Sequence, residues 1–405
     1  MRARHGTRAA ALLFTLGLAA SACGSDSDST ATTDSAGTDS STATTEASGT
    51  TEASTDTSEA AGGAVDLSAA CPATVVVQTD WFPEAEHGAL YQLLGDDYEI
   101  DAAQKVVTGS LTASGGVDTG VDIEIRAGGP AIGDGNVESV MYTDDDVMLG
   151  YATTDGQILT ADKTPLLSVM APLELNPQII YWDPETYPDV KTLADLGAKD
   201  ITINVFGGGT FSEVFVAKGI WKEDQIDPSY DGSPNRFVAE GDIAQQGFAS
   251  AEPWIYKNQV TEYGKDLAFQ LLNDAGFPVY SQTLGIVPDR LEELTPCLTE
   301  LIPVIQQATV DYYGDPAATN AKIVETVKTY DTFWTYPAEL AEFSVDKQLE
   351  LGLAGNGPDD TVGNFDTARV QEVIDALTEA QMDFPAGITP DDLVTNEFID
   401  TSIGF

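Results

Sequence analysis

Ala73-Thr74-Val75-Val76-Val77-Gln78-Thr79 runs directly into Asp80-Trp81-Phe82-Pro83-Glu84-Ala85-Glu86, and that loop into His87-Gly88-Ala89-Leu90-Tyr91-Gln92-Leu93-Leu94. The first stretch is short and β-branched, which predicts a buried strand; the last predicts a short helix ended by Gly95. Strand, loop and helix in that order form one unit of an α/β fold. Open sheets of this kind bind ligands at the carboxyl ends of their strands, where the Asp80 loop falls.

Outward from this unit the alternation continues. Val121 to Arg126 alternates apolar and polar residues, a strand with one polar face that Gly128-Gly129-Pro130 stops. Asn136 to Tyr142 reads as a helical turn, Val147 to Ala152 and Leu166 to Ala171 as strands. Between those strands Thr153-Thr154-Asp155 caps a helix through Asp162, because short oxygen-bearing side chains satisfy its free N–H groups. Leu193 to Leu196 is helical, Ile201 to Val205 a strand, and Gly207-Gly208-Gly209-Thr210 opens a helix from Phe211 to Lys218. Asp242 to Gly247 reads as a short helix and Phe248 to Ala251 as a short strand ending at Glu252-Pro253. From Leu291 to Gly314 the pattern is helical, and Asn320 to Thr335 and Thr367 to Ala380 continue it. Alternating β and α units followed by helices predict an α/β protein of doubly wound sheets with a C-terminal helical part.

Charge narrows the partners. The 405 residues carry 66 acidic against 18 basic side chains, a formal charge of −48, with 42% hydrophobic residues to build a core. Such an excess of carboxylates opposes a phosphate backbone, so no nucleic-acid partner is expected. Three cysteines (Cys23, Cys71, Cys297) and two histidines (His5, His87) leave little for a zinc cluster, and neither a metal nor a cofactor is expected.

The amino-terminal residues read as an address. Arg2, Arg4 and Arg8 form a positive region, and Ala9 to Leu18 is an apolar stretch too short to span a bilayer. The run Leu18-Ala19-Ala20-Ser21-Ala22-Cys23 resembles a bacterial lipobox, which implies a signal peptide 1–22 and a lipid on Cys23. An ordinary A-x-A cleavage site is the alternative. Residues 23–64 then form an acidic Ser/Thr-rich tether: Gly24 to Gly63 holds eight carboxylates, no basic residue and no side chain that could seed a core. Forty such residues reach about 35 Å as a flexible coil. After processing, His87 is the one histidine left for Ser-His-Asp or Cys-His catalysis. Cys71 and Cys297 face an oxidising compartment, where a bridge between them and two buried thiols both remain open.

Five ordered segments carry a family resemblance. They are Thr79-Asp80-Trp81-Phe82-Pro83 with His87 to Tyr91; Leu149-Gly150-Tyr151-Ala152-Thr153-Thr154-Asp155; Ala171-Pro172-Leu173-Glu174-Leu175-Asn176-Pro177-Gln178; Lys191 to Leu196; and Ala244-Gln245-Gln246-Gly247-Phe248-Ala249-Ser250-Ala251-Glu252-Pro253. In these the chain resembles the substrate-binding proteins of ABC importers, of the type 2 periplasmic-binding-protein fold. The likeness is to the thiamine-pyrimidine-synthase-like group, which includes thiamine-pyrimidine, riboflavin, nitrate and sulfonate binders. The resemblance implies two doubly wound lobes joined by crossing strands, lobe one being 65–175 plus the helical 283–405 and lobe two 176–282. It implies a non-enzymatic, monomeric, membrane-tethered capture protein on the extracytoplasmic side, whose partners are a small-molecule ligand and the permease subunits. Residues 98–120 depart from it as an insertion, and the cysteine-rich segment of the fungal pyrimidine synthases is missing.

The loops at the strand ends supply the candidate ligand contacts. Trp81 offers a flat stacking face and Asp80 an acceptor for N–H donors. His87 either bonds a ligand or caps and packs locally, and Tyr91 lies one turn on, on the same helical side. Thr154, Asp155 and Asn176 stand at further strand ends. Gly208, Gly209 and Thr210 form a glycine-rich turn whose N–H groups can hold an anion or a carbonyl. Glu252 can pair with an amino group and ring N–H, while Trp254 and Tyr256 close over a ring. Aromatics beside acids, with few basic residues near, favour a neutral or protonated nitrogen heterocycle over nitrate, taurine or another sulfonate. A secreted enzyme using His87 is the remaining rival.

Overall fold

The computed structural model describes residues 65–133 and 135–405. The leader, Cys23 and the tether 23–64 lie outside the described residues.

Strand β1 (Thr74–Gln78) forms where the β-branched run places it and sits inside a seven-stranded sheet. Its side chains alternate: Val75 and Val77 enter the main core, while Val76 packs with Val137, Met141 and Val147 on the opposite face. Burying each such valine contributes roughly 1.5–3 kcal/mol relative to exposure. β1 pairs in parallel with β4 (Val117–Arg126) and β5 (Leu149–Ala152). The inserted residues 98–120 extend this sheet as an antiparallel meander. It consists of β2 (Glu99–Asp101) and β3 (Val106–Ala113), which returns into β4 through a turn where Gly115 and Gly116 both take positive φ. β6 (Leu167–Met170) forms the other edge.

The chain then crosses to a second, five-stranded sheet through 171–177. There it forms β7 (Gln178–Trp182), β8 (Ile203–Asn204), β9 (Ile226–Asp227), β10 (Ala244–Phe248) and β11 (Ala268–Leu271), in the spatial order β11-β7-β10-β8-β9. It returns through 272–282 to β12 (Thr283–Ile286), antiparallel between β5 and β6. Period-two alternation sorts β7 cleanly. Ile180 and Trp182 enter one core with Phe211, Val214 and Phe215, and Ile179 and Tyr181 enter another with Phe237 and Tyr256.

Helices Leu291–Gly314, Ala317–Tyr330 and Ala338–Glu350 cover the first sheet. The last long helix, Thr367–Glu379, does not join them: Val370, Val373, Ile374 and Leu377 lie in the core of the second sheet. The carboxyl-terminal part, expected wholly with lobe one, is therefore shared between the two sheets. A second difference concerns 242–252. The expected helix is strand β10 and the expected strand at Phe248–Ala251 runs into helix Glu252–Asn258. β10 carries two buried glutamines that bond locally, though the Gln245 Oε1 has no protein partner. Gln245 donates to the Tyr181 and Tyr256 hydroxyls, and Gln246 accepts from the Phe206 N–H. Polar residues in a central strand conceal its period. Cys71 and Cys297 are joined by a disulfide.

Candidate ligand cleft

The Asp80 loop leaves the end of β1 and packs close to the loop that leaves β4. A Cβ on Gly128 would stand 2.1 Å from the Thr79 carbonyl oxygen, and one on Gly129 would stand 2.4 Å from the Trp81 ring. This close approach fixes Trp81, which is half-buried against the first-sheet core and meets Trp334 edge-on at 6.1 Å. Asp80 accepts a 2.9 Å hydrogen bond from His87 Nε2 and a 3.4 Å one from Gln282 Nε2. His87 is fully buried, its ring 5.3 Å from that of Tyr151, and its Nδ1 has no protein partner.

Two carboxylates that were not singled out in the sequence complete this side. Burial, together with the charges of Glu86, Asp80 and Glu252, pushes the Glu84 carboxyl well above the usual range, with the Gln282 amide pulling the other way. Burial also raises Glu86, against the Ser250 hydroxyl that donates to its Oε1. That bond joins the Asp80 loop to the segment after β10, so it spans from one sheet to the other. Ser344 ties the same segment further, its hydroxyl donating to the Ser250 carbonyl at 2.6 Å.

On the second-sheet side, Glu252 opens helix Glu252–Asn258. Its Oε2 accepts from the Phe248 N–H at 2.6 Å, and burial raises its carboxyl to about 7, with Glu86 adding to the rise. Tyr230 adjoins it: burial first and then the Glu252 charge push its phenol upward, and its ring packs on Phe206 at 4.5 Å. Beyond burial, the charges of Asp80 and Glu252 raise Glu84, and Glu86 raises Glu252, so the acids of both sheets face the same seam. Among the described residues none of the four pairs with a lysine or arginine. Lys257, close in sequence, pairs with Asp266, and Arg126 with Glu124 and Asp144.

The remaining expected contacts are placed as follows. Asp155 accepts from the Thr210 hydroxyl, a second link between the sheets, at the start of helix Thr210–Ala217. Gly208 is exposed with φ +85 and Gly209 caps that helix without a side-chain bond. Trp254 is half-buried and packs against the first-sheet core. Four of the expected contacts are buried and held within the fold. Tyr91 is 1% exposed and belongs to the first-sheet core, and Tyr256 is 2% exposed with its hydroxyl held by Tyr181 and Gln245. Thr154 is buried, its hydroxyl accepting from the Tyr280 N–H, and Asn176 is buried in the first crossing, bonded to Gln178. Each of these side chains is used by the fold.

A cavity of about 670 Å³ lies elsewhere, where the Gly115 turn meets the helices, lined by Gln92, Thr112, Ser114, Asp311 and Lys322 among others. None of the strand-end residues above borders it. Among the described residues no group of three or more His, Cys, Asp or Glu is arranged to hold a metal ion, and no helix is long and apolar enough to cross a membrane.

Solved structures share this architecture. The alkanesulfonate-binding protein SsuA from Xanthomonas axonopodis pv. citri, bound to MOPS, aligns at 14% identity over 80% of this chain and 98% of its own, with a TM-score of 0.50. The periplasmic nitrate-binding protein NrtA from Synechocystis PCC 6803 aligns at 12% identity over 80% and 87%, TM-score 0.51. A ligand-binding component of an ABC-type import system from Staphylococcus aureus, with zinc bound, aligns at 9% over 81% and 98%, TM-score 0.50. No protein-family model matches the chain, and no curated protein sequence matches it. At these identities the likeness establishes the fold. The chain has the periplasmic-binding-protein fold of type 2, two α/β sheets joined by crossing segments with a helical carboxyl-terminal part.

The Glu252 carboxyl sets a pH dependence. Its folded value of about 7 lies above its ordinary 4.5, so the fold favours the protonated form. Stability from this group is full below the ordinary value and declines as pH rises through about 7. A cationic ligand reverses the preference and expels the proton. Affinity for a permanently charged cation such as thiamine will therefore rise from pH 5.5 to 8, with proton release visible as a buffer-dependent calorimetric enthalpy. A flat profile across that window contradicts the assignment.

Proposed function

We propose that this chain is the solute-binding component of an ABC importer. In this reading it is a monomer without catalytic activity, tethered by a lipid at Cys23 to the extracytoplasmic face of a membrane. Two lobes close on a small organic nutrient, a protonated nitrogen heterocycle such as an aminopyrimidine, and present it to the permease. The lobes are 65–175 with most of 283–405, and 176–282 with the helix Thr367–Glu379 attached. The work is a difference in affinity between open and closed arrangements.

The observation that carries the ligand class is that Asp80, Glu84, Glu86 and Glu252 lie at one seam and, among the described residues, none pairs with a lysine or arginine. Buried carboxylates are costly unless a cation or several N–H donors meet them. Half-buried Trp81 and the Phe206–Tyr230 pair supply flat apolar surface beside them. A second reading, capture of nitrate or a sulfonate, draws on the names of the SsuA and NrtA structures. Against it, the helix start that could hold an anion already faces Asp155, bonded to Thr210. Calorimetric titration with aminopyrimidines, thiamine, riboflavin, taurine and nitrate separates the two. Saturable heat is expected from the amino heterocycles alone, and saturation only by nitrate or sulfonates overturns the cationic reading.

A further inference from the structure

The carboxylates of the cleft are divided between the two sheets, and each side has its own unsatisfied polar atoms. On the first-sheet side are Asp80 and Glu84. Beside them stands the Tyr151 hydroxyl, 1% exposed as a residue and without a protein partner; burial first, then the charges of Asp80 and Glu84, push its phenol upward. Gln282, which donates to Asp80, leaves its own Oε1 unpartnered and buried. On the second-sheet side is Glu252, near Tyr230 and Gln245, and the Gln245 Oε1 is likewise buried and unpartnered. Buried polar atoms are rarely left unbonded, so these orphaned atoms, two amide oxygens and a phenol hydroxyl, mark where a ligand with N–H donors can sit. Glu86 lies between the two groups, already occupied by Ser250.

We propose that the ligand carries two separate cationic N–H centres, one received by Asp80 and Glu84 with Gln282, the other by Glu252 with Gln245. This rests on the cationic reading above and narrows it. A single positive centre would pair with the carboxylates of one sheet only and would give the two lobes unequal reason to close. Two centres joined by a short or flat spacer give each lobe its own ion pair, so that closure is stabilised from both sides.

The test is titration calorimetry on the mature chain with benzylamine and 1,4-bis(aminomethyl)benzene, which share a flat ring and differ in one ammonium group. The diamine is expected to bind at least tenfold more tightly. Glu252→Gln keeps an acceptor for the Phe248 N–H, so it tests charge with the fold retained, which its melting temperature verifies. In that variant the tenfold advantage of the diamine over the monoamine is expected to disappear. Equal binding of the two amines by the parent chain overturns the proposal. Preference for a singly charged aminopyrimidine over both overturns it as well, while leaving the cationic reading intact. Binding of nitrate or sulfonates alone overturns both.

Discussion

The double variant Cys71→Ala/Cys297→Ala will unfold with about 5 kcal/mol less free energy than the parent, a shift in melting temperature of roughly 7 °C for a body of this size. The bridge joins residues 226 apart, tying the segment just before β1 to the helix Leu291–Gly314. In the unfolded chain it removes the freedom of that long loop, which is where the chain-entropy account places its effect. Cys297 is 1% exposed and sits in the core with Leu298, Leu301 and Ile302, so alanine adds no unsatisfied polar atom there. Thermal melts with and without reductant measure the same quantity on the parent. A shift below about 2 °C would mean that the reduced chain keeps the two segments together without the bond.

Sequence alone left that bridge open, since pairing depends on where two distant segments meet. The parallel core strands were readable because β-branched runs such as Val75-Val76-Val77 have one stable use in an α/β body. β7, β11 and β12 were not recognised: each is only four or five residues long, and in the second sheet β10 hides its period behind Gln245 and Gln246. The same physics governs the cleft. Asp80 and Glu252 stand at strand ends in the sequence, where polar residues draw attention. Glu84 and Glu86 look like two more solvated acids in a chain with 66 of them. What changes them is tertiary: Ser250 and the Tyr336–Ser344 pair close over the segment, with the Tyr336 hydroxyl accepting from the Ala85 N–H. Their spacing around Ala85, between apolar Phe82 and Pro83 and the helix, is the one local signal available. Tyr91 is placed by the same tertiary packing. It does share a helical side with His87, but that side is the core, where His87 itself is fully buried.

Arg369→Ala will destabilise the protein by about 3–5 kcal/mol, the range for removing one partner from a buried charged network. Arg369 lies on helix Thr367–Glu379, and its guanidinium reaches both segments that cross between the sheets. Nη1 donates to the Glu174 carbonyl at 2.6 Å and its carboxylate at 3.2 Å, Nε to Pro278 O at 2.7 Å, and Nη2 to Val279 O at 3.0 Å. The group also stacks 3.7 Å from the Tyr280 ring centroid. Alanine would strand three carbonyls and the half-buried Glu174 together, each needing water or a new partner. Lysine retains a charge without the planar fork, so Arg369→Lys is expected to recover less than half of the loss. Denaturant unfolding of both variants decides it, and an alanine variant within about 1 kcal/mol of the parent would refute the role. The consequence reaches the cleft. Gln282 and Thr283 follow directly from the segment that Arg369 holds, and Gln282 is bonded to Asp80. Loosening 278–280 therefore blurs the placement of the acceptor beside Asp80. Arg369→Ala should weaken ligand capture severalfold although no atom of Arg369 lies among the cleft residues.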